Sequence, residues 1–255
     1  MGGRLEGGHI FVTGGSRGIG AAVVEKALAE GASVTTVDLD KAAGEAFVNG
    51  LAARDRVHFE VGDIRRIDDI RRVHEAGVRK FGRVTGLVNN AGRNSNADPV
   101  TMTEAEWEDV FSVDLKSAWL CAKVMLPPML AAKAGAIVNI ASVHADHTFP
   151  GYFPYAAAKS GLVGLTRSLA LEVGPQQVRV NAISPGWTET KLVAEYFATQ
   201  PPDMRQKVLD VHPMARIAKP SEIANCVVFL LSDEASFVTG ANWRVDGGIG
   251  ARFAG

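Results

Sequence analysis

The feature that most constrains the fold is the regular alternation of short β-rich runs with longer helical patterns. The first runs are His9–Thr13, Ser33–Asp38 and Val57–Val61, and each precedes a stretch with helical periodicity. Parallel strands need such crossovers, and helices on both faces bury them. The chain shows no linker or repeat. The sequence therefore predicts a single α/β domain over residues 1–255. Its core would be a doubly wound parallel sheet of about seven strands, with helices on both faces.

Composition and charge exclude several classes of protein. The chain has 255 residues, of which 47% are hydrophobic and 22% charged, and its net charge is −1. This balance provides no basic surface for nucleic acid and no attraction to an anionic membrane. The sequence shows neither the apolar stretch of a signal peptide nor the roughly 20 apolar residues of a membrane span. Because Cys121 and Cys226 are its only cysteines, we expect a reduced, cytoplasmic protein without nucleic-acid or membrane partners.

A glycine-rich turn, Thr13–Gly20, lies between the first strand and the first helix. Glycine lets the backbone approach a phosphate, and the helix N-terminus adds free N–H groups and a positive dipole. The spacing is Gly-x-x-x-Gly-x-Gly, and a plain structural turn is the alternative interpretation. Its position favours the dinucleotide-binding turn of a Rossmann-type sheet. The expected cofactor contacts in this turn are Gly14, Ser16, Arg17, Gly18, Ile19 and Gly20.

Asp38 closes the second strand and bears on the choice of cofactor. A carboxylate there can accept hydrogen bonds from the ribose hydroxyls of NAD and repel the 2′-phosphate of NADP. Arg17 opposes this preference, because it could pair with that phosphate. We expect Asp38 to dominate, so that the cofactor is NAD and NADP is disfavoured. A helix cap is the alternative role for Asp38.

Candidate chemistry comes from Tyr155 and Lys159, which are four residues apart in a predicted helix. That spacing places both side chains on one face. A free tyrosine has a pKa of about 10 and is a poor base at neutral pH, but a nearby lysine cation favours its ionised form. The pair is therefore a candidate proton-transfer device. Tyr-x-x-x-Lys also occurs by chance, and Ser142, thirteen residues upstream, strengthens the interpretation.

Seven pieces of the chain, taken in order, resemble the short-chain dehydrogenase/reductase family over nearly the whole length. They are the Thr13–Gly20 turn, Asp63, Asn89-Asn90-Ala91-Gly92, Ser142, Tyr155 with Lys159, Pro185–Thr190 and Asp246-Gly247-Gly248. Any one piece is weak, but their shared order makes chance a poor explanation. The resemblance implies an oxidoreductase that transfers a hydride between a nicotinamide cofactor and a secondary alcohol or carbonyl.

The resemblance also implies a role for each matching residue. Ser142 would bond the substrate oxygen, Tyr155 would exchange its proton, and Lys159 would bind the nicotinamide ribose and favour the ionised tyrosine. The other implied cofactor contacts are Asp63 and Ile64 at the adenine, Asn90, Ala91 and Gly92 at the ribose, and Pro185, Gly186, Thr188 and Thr190 around the nicotinamide. Simpler roles stay open, such as a strand-end hydroxyl for Ser142 and a helix cap for Thr190.

One position departs from the family pattern. The family has an asparagine in a Val-Asn-Leu pattern, and this chain has Val113-Asp114-Leu115. The resemblance implies that the main-chain carbonyl at this position holds a water that bonds the lysine. That carbonyl survives the change, so Asp114 is counted with the candidate catalytic residues. A buried carboxylate, however, costs free energy unless it is paired.

The expected substrate contacts follow three of the strands. They are Ser142, His144, Arg93, Asn94 and Trp187, together with a lid segment around residues 188–214. Polar groups of this kind favour a sugar, polyol or other small polar alcohol over a steroid or acyl chain. Exposure of some of these groups to solvent, and packing for Trp187, are the alternatives. Because His144 and His147 have no visible third ligand, no metal is expected.

Two other functions stay open. The first is an NADPH-dependent 3-oxoacyl-carrier reductase, since many relatives with this turn and C-terminus have that activity. The second is a non-catalytic NAD-binding sensor, against which the intact Ser142, Tyr155 and Lys159 argue.

The resemblance further implies a homotetramer with two-fold axes. One interface would use the long helices around Leu115–Ala132 and Tyr155–Val173, and another the C-terminal helix and strand. Val227–Leu231 and Phe237–Val245 are apolar enough to serve there. A closed symmetric oligomer avoids exposing such patches.

Overall fold

The computed structural model describes residues 2–252, which form a seven-stranded sheet with helices on both faces. The strands are β1 (His9–Thr13), β2 (Ser33–Asp38), β3 (Val57–Val61), β4 (Gly86–Asn89), β5 (Gly135–Ile140), β6 (Val178–Pro185) and β7 (Asn242–Val245). They run parallel in the order β3-β2-β1-β4-β5-β6-β7. The order reverses between β1 and β4, and ligands of such sheets bind at this switch point. The predicted fold class is confirmed.

Nine α-helices connect the strands within the described residues. They are α1 (Gly18–Ala29), α2 (Lys41–Gly50), α3 (Ile67–Phe81), α4 (Glu104–Phe111), α5 (Ser117–Ala132), α6 (Phe153–Val173), α7 (Lys191–Ala198), α8 (Met204–Val211) and α9 (Pro220–Leu231). Local signals explain several boundaries. Thr103 and Glu106 form the capping box that starts α4, and Gly82, with φ of 77°, ends α3.

The core has two layers because side chains on a strand alternate between the faces of the sheet. On β1, Ile10 and Val12 belong to the hydrophobic cluster that includes α1 and α9. Phe11 points the other way, into the cluster formed with α3, α5 and α6. Both faces are thus covered, which leaves the carboxyl-terminal edge of the sheet as the place for a site.

The packing of α9 shows where most of its apolar side chains lie. Four of the five residues in Val227–Leu231 are buried, and they pack in the core against α1 and the sheet. Only Phe229 is partly exposed, and its ring stacks on Trp243 with 5.3 Å between centroids. Most of this apolar run therefore belongs to the core of one chain, and the interface expected at the C-terminal helix and strand stays a prediction. The periodicity of a helix buried on a wide face cannot be told from that of an interface helix.

The structure also differs from the sequence prediction in two places. A π turn, Ser112–Lys116, joins α4 to α5. The helix predicted from Leu115 is therefore continuous with α4 and contains a local bulge at this turn. The segment predicted as a lid folds into α7 and α8, which are separated by a turn at Pro201-Pro202. Both helices have eight residues, too few for a periodic pattern to stand out.

Candidate active site

A cavity of about 690 Å³ opens at the carboxyl ends of the central strands, between the glycine turn and α7. It brings together most of the residues that the sequence singled out. Those lining it are Gly14, Arg17, Gly18, Ile19, Asp38, Asp63, Ile64, Asn90, Ala91, Gly92, Arg93, Asn94, Ser142, His144, Tyr155, Lys159, Pro185, Gly186, Trp187, Thr188 and Thr190. Ser16, Gly20 and Asp114 are buried and are not part of this lining.

The glycine turn has a backbone conformation that residues with a side chain rarely adopt. Gly14 and Gly18 have φ of 65° and 55°, a region that other residues rarely adopt. Gly20 serves packing, because a Cβ there would lie 2.1 Å from the carbonyl oxygen of Gly14. Ser16 is buried, and its Oγ has no hydrogen-bond partner among residues 2–252. The turn therefore holds the start of α1 tightly against the sheet edge.

Asn90 locks this turn to the neighbouring strand. Its Nδ2 donates hydrogen bonds to the carbonyl oxygens of Thr13 and Gly14, both at 3.0 Å. The hydroxyl of Thr13 in turn accepts the backbone N–H groups of Asn90 and Ala91, both at 3.0 Å. These bonds fix the two segments on either side of the switch point.

The residues at this turn fit a dinucleotide phosphate. In the described structure no side chain caps the first turn of α1, where Arg17 is the N-cap residue. Gly18 and Ile19 of that turn line the cavity together with Gly14. Unsatisfied N–H groups and the helix dipole make such a terminus an anion site. The fit supports a nicotinamide dinucleotide as the ligand of this cleft.

At the end of β2, acidic groups surround the expected position of the adenosine ribose. Asp38 lines the cavity, and its Oδ1 accepts the backbone N–H of Asp40. Asp40 forms an ion pair with Arg17 and also caps α2 by accepting the N–H of Ala43. Arg17 is therefore already held by a carboxylate, a partner that the sequence analysis did not assign to it.

At the adenine end, Asp63 and Ile64 line the cavity beside Arg65, which the sequence analysis missed. The Arg65 guanidinium binds Asp63 at 2.7 Å and Asp109 of α4 at 2.6 Å. Its hydrogen bonds lower the pKa of the Asp63 carboxyl, so this carboxylate stays ionised. Asp109 also pairs with the guanidinium of Arg93. Arg93 was expected to contact substrate, but its guanidinium is anchored on α4.

A buried polar ladder positions α6, the helix that carries Tyr155 and Lys159. The side chain of Asn89 on β4 donates to that of Asn139 on β5 at 2.8 Å. Asn139 donates in turn to the hydroxyl of Thr166 on α6 at 2.9 Å. Because a buried polar group is costly unless bonded, this ladder favours one register of α6 against the sheet.

The expected proton-transfer group is assembled at one end of the cavity. Ser142, Tyr155 and Lys159 all line it. Ser142 follows β5, and its Oγ accepts the backbone N–H of His144 at 3.2 Å, which leaves its own O–H available to a ligand. The Lys159 Nζ lies 5.6 Å from the centre of the Tyr155 ring and donates to the carbonyl oxygen of Ile140 at 3.1 Å.

Asp114 lies directly behind Lys159. Its Oδ1 is 3.2 Å from the Lys159 Nζ and accepts the backbone N–H of Arg93 at the same distance. Burial raises the pKa of the Asp114 carboxyl, while the cation of Lys159 acts in the opposite direction. The π turn at Ser112–Lys116 presents this side chain to α6.

Aromatic side chains form the wall beside Tyr155. The His144 ring stacks on Tyr152 at 4.6 Å and meets Tyr155 edge-on at 5.6 Å between centroids. Burial lowers the pKa of His144 to about 4, so its ring is neutral near pH 7. Across the cavity, Trp187 stacks on Phe197 of α7 at 5.5 Å. The polar wall expected from the sequence is thus largely aromatic.

Tyr152 is a site residue that the sequence analysis missed. It precedes the first turn of α6 and lines the cavity three residues before Tyr155. A spacing of three on a helix places side chains on one face, and that signal could have identified it. Leu192 and Val193 of α7, within the segment predicted as a lid, add apolar surface to the cavity.

His144 and His147 have separate partners. The Nδ1 of His144 lies 2.9 Å from the hydroxyl of Thr148, and the Nε2 of His147 lies 3.3 Å from Arg244. Within residues 2–252, no group of three or more histidine, cysteine, aspartate or glutamate side chains is arranged to hold a metal ion.

The strand-end segment after β6 supplies the remaining expected contacts. Pro185, Gly186 and Thr188 line the cavity. Thr188 is buried and donates to the carbonyl oxygen of Gly186 at 3.1 Å. Thr190 lines the cavity and also caps α7 by accepting the N–H of Val193, so the simpler role given for it holds as well.

Comparison with known proteins decides the family. A family model described as enoyl-(acyl carrier protein) reductase matches residues 14–250. The chain belongs to the short-chain dehydrogenase/reductase family. A 3-oxoacyl-[acyl-carrier-protein] reductase FabG of Thermotoga maritima is 37% identical over 249 residues, covering 96% of this chain and 99% of the relative. The 2-(S)-hydroxypropyl-CoM dehydrogenase 3 of Xanthobacter autotrophicus is also 37% identical, over 254 residues, covering 98% and 100%.

A third relative extends the comparison. The FabG of Chlamydia trachomatis is 33% identical over 251 residues, which cover 98% of this chain and 100% of the relative. As a short-chain dehydrogenase/reductase, the protein is an oxidoreductase that transfers a hydride between a nicotinamide cofactor and an alcohol or carbonyl. In the described part of the chain, no helix combines the length and apolar character needed to cross a membrane.

Proposed function

We propose that this protein reduces the ketone of a 3-oxoacyl thioester to a secondary alcohol, with NADH as the cofactor. The observation that carries the substrate class is the aromatic wall beside the proton-transfer group. His144, Tyr152 and Trp187 offer faces to the cavity, and Leu192 and Val193 of α7 add aliphatic surface. Such walls favour burial of an apolar arm next to the reacting carbonyl. The names of the FabG relatives support the same class.

The walls give less support to the sugar or polyol expected from the sequence. Of the polar groups assigned to substrate, Arg93 is bound to Asp109, and His144 is neutral and stacked on Tyr152. A polyol would leave hydroxyls against these aromatic faces without partners, which costs free energy. Asn94 and Ser142 remain at the cavity, enough for a carbonyl and one further polar group.

The chain's own residues account for the proton side of the reaction. Ser142, whose Oγ accepts the N–H of His144, is free to donate its O–H to the carbonyl oxygen and to hold it near Tyr155. A bound NADH supplies the hydride to the carbonyl carbon. Tyr155 donates its phenolic proton to the oxygen as negative charge develops there. Lys159, fixed by Ile140 and Asp114, stabilises the tyrosinate that is left.

The acidic groups at the end of β2 support NADH as the cofactor. Asp38 lines the cavity where the 2′-phosphate of NADPH would lie, and Asp40 neutralises Arg17 nearby. A phosphate at this position would approach a carboxylate without gaining a free arginine. The cost of bringing like charges together in a partly buried site favours the unphosphorylated ribose.

A substrate panel tests this proposal. Purified protein with NADH or NADPH is given short 3-oxoacyl thioesters, and with NAD it is given sugars, polyols and their deoxy analogues. We expect oxidation of NADH with at least one thioester and a kcat/KM for NADPH lower by more than about tenfold, or 1.4 kcal/mol. Activity confined to sugars or polyols, with a marked loss for deoxy analogues, would show that the substrate proposal is wrong.

Variants of the wall add a control to the panel. Trp187→Ala removes a cavity face and should raise the KM for the thioester several-fold. Val100→Ala removes part of an exposed apolar side chain outside the cavity lining and should leave this KM unchanged. Equal effects of the two variants would contradict a role for the aromatic wall.

A further inference from the structure

A buried ion pair lies behind the candidate proton donor, and hydride transfer alone does not require it. The Oδ1 of Asp114 is 3.2 Å from the Lys159 Nζ, and the side chains are 0% and 5% exposed. Asparagine is the residue that the family resemblance implies at this position, so the negative charge is a property of this chain. The pair lies beside Tyr155, whose ring centre is 5.6 Å from the same Nζ.

The hydrogen bonds of the carboxylate are incomplete. Oδ1 is shared by the Lys159 Nζ and the backbone N–H of Arg93. Oδ2 is buried and has no hydrogen-bond partner among residues 2–252. A buried carboxylate with one bare oxygen depends strongly on its counter-charge. The charge of Asp114 is therefore balanced chiefly by Lys159.

Few other charged groups act on this pair. From the segment after β4, Arg93 faces Asp114, but its guanidinium is paired with Asp109. From the segment after β5, His144 faces Tyr155, and burial lowers the pKa of this histidine to about 4, which leaves it neutral. On the π turn itself, Lys116 is exposed. The electrostatic balance around Tyr155 thus depends mainly on Lys159 and Asp114.

We propose that Asp114 masks the charge of Lys159 and thereby keeps Tyr155 protonated to higher pH. This inference rests on the proposed function, since it takes Tyr155 as the proton donor. A lysine cation alone favours the phenolate, whereas a lysine–carboxylate pair acts on the phenol only as a dipole, whose field falls off faster. Asp114 is a positioning residue here, because it acts through Lys159.

The sign of the effect follows from the charges. Reduction needs the phenol and oxidation needs the phenolate. Replacing Asp114 by asparagine keeps an oxygen for the N–H of Arg93 but leaves the Lys159 cation unmasked. The phenolate then forms at lower pH, so the pH profiles of reduction and of oxidation both move to lower pH. In this variant the Lys159 Nζ keeps its hydrogen bond to the carbonyl oxygen of Ile140.

The first experiment compares pH profiles of kcat/KM in both directions for the protein, Asp114→Asn and Glu108→Gln. Glu108 is an exposed residue of α4, so its variant removes the same charge from the same helical region. In Asp114→Asn, the half-maximal points of both profiles should move to lower pH by about one unit. The Glu108→Gln profiles should coincide with those of the parent protein.

A second readout needs neither cofactor nor substrate. Tyrosinate absorbance is titrated in the apo protein and in Asp114→Asn, each with its Tyr155→Phe counterpart subtracted to remove Tyr152 and Tyr196. The difference signal should appear at lower pH in Asp114→Asn. If that variant does not fold, Asp114→Ser replaces it, since it also removes the carboxylate from Lys159 and adds no atom beside the Nζ.

The outcomes separate this inference from the proposed function. Unmoved or upward-shifted profiles in Asp114→Asn, with Tyr155→Phe inactive, would overturn the masking role and leave the proton donor intact. Full activity of Tyr155→Phe would instead overturn the proposed function. If the pH profiles of Glu108→Gln moved to lower pH as far as those of Asp114→Asn, the change in net charge would explain the effect. That outcome would contradict a role for the buried pair.

Discussion

At the scale of single residues, the choice of cofactor depends on how three charged side chains are paired. Arg17 could bind the 2′-phosphate of NADPH, but it is paired with Asp40, and Asp38 lies beside them at the cavity. Removing Asp38 alone therefore leaves Arg17 occupied. This differs from the picture drawn from sequence, in which Asp38 was the only obstacle.

The pairing predicts how the preference for NADH can be changed. Asp38→Ala should lower the preference for NADH over NADPH only modestly. Asp38→Ala combined with Asp40→Ser should lower the ratio of kcat/KM for NADH to that for NADPH by a further factor of more than about ten, or 1.4 kcal/mol. Arg17 is then free to bind the 2′-phosphate, and serine still caps α2. The ratio of kcat/KM values for NADH and NADPH measures this, with exposed Asp55→Ser as the control. A double variant no better with NADPH than Asp38→Ala would contradict the role of Asp40.

The sequence indicated which residues lie at the site better than it indicated their ion-pair and stacking partners. Tyr155, Lys159 and Ser142 could be placed together because each follows a strand or a helical spacing that fixes its position. The pairs Arg17–Asp40 and Lys159–Asp114 join residues 23 and 45 positions apart, through side-chain geometry that no local pattern encodes. The neutral, stacked state of His144 likewise depends on burial.

At the scale of helices and strands, the sequence was informative wherever an element is long or bounded by strong signals. Strands β1, β2 and β3 have the predicted bounds, since runs rich in β-branched residues set them apart from the helical patterns. The π turn could not be predicted, because it is a choice between backbone hydrogen bonds that the same residues allow. Helices α7 and α8 were too short for a helical periodicity to be recognised in the sequence.

Helices α5 and α6, which form one of the predicted interfaces, carry exposed apolar side chains. Trp119 on α5 and Leu171 on α6 are 45% and 80% exposed. We propose that they contribute to the homotetramer, because exposed apolar side chains on long helices favour a closed symmetric assembly. Light scattering should give a mass of four chains of 27.1 kDa each. Leu171→Glu should lower that mass, whereas Val100→Glu, at an 88% exposed residue outside these helices, should not. Single-chain particles of the unmodified protein would contradict the assembly.

At the scale of the whole molecule, the fold brings distant segments to one edge of the sheet. The reversal of strand order between β1 and β4 forms a crevice at this edge. The segments that follow the strands line it with the glycine turn, Asn90, Ser142 and Thr188. The fold was predictable because alternation of strands and helices permits few topologies. The character of the substrate pocket was not, because it depends on α7 and on aromatic stacking between segments that are separate in sequence.

The central claim is that Tyr155, held beside Lys159 and Ser142, donates the proton in the reduction. Tyr155→Phe keeps the ring and its packing against His144 and removes only the proton carrier. Steady-state turnover of the active thioester should fall by at least about a hundredfold, while NADH binding, measured by nucleotide fluorescence, should stay within a few-fold of the parent protein. Turnover of Tyr155→Phe near that of the parent protein would contradict the account.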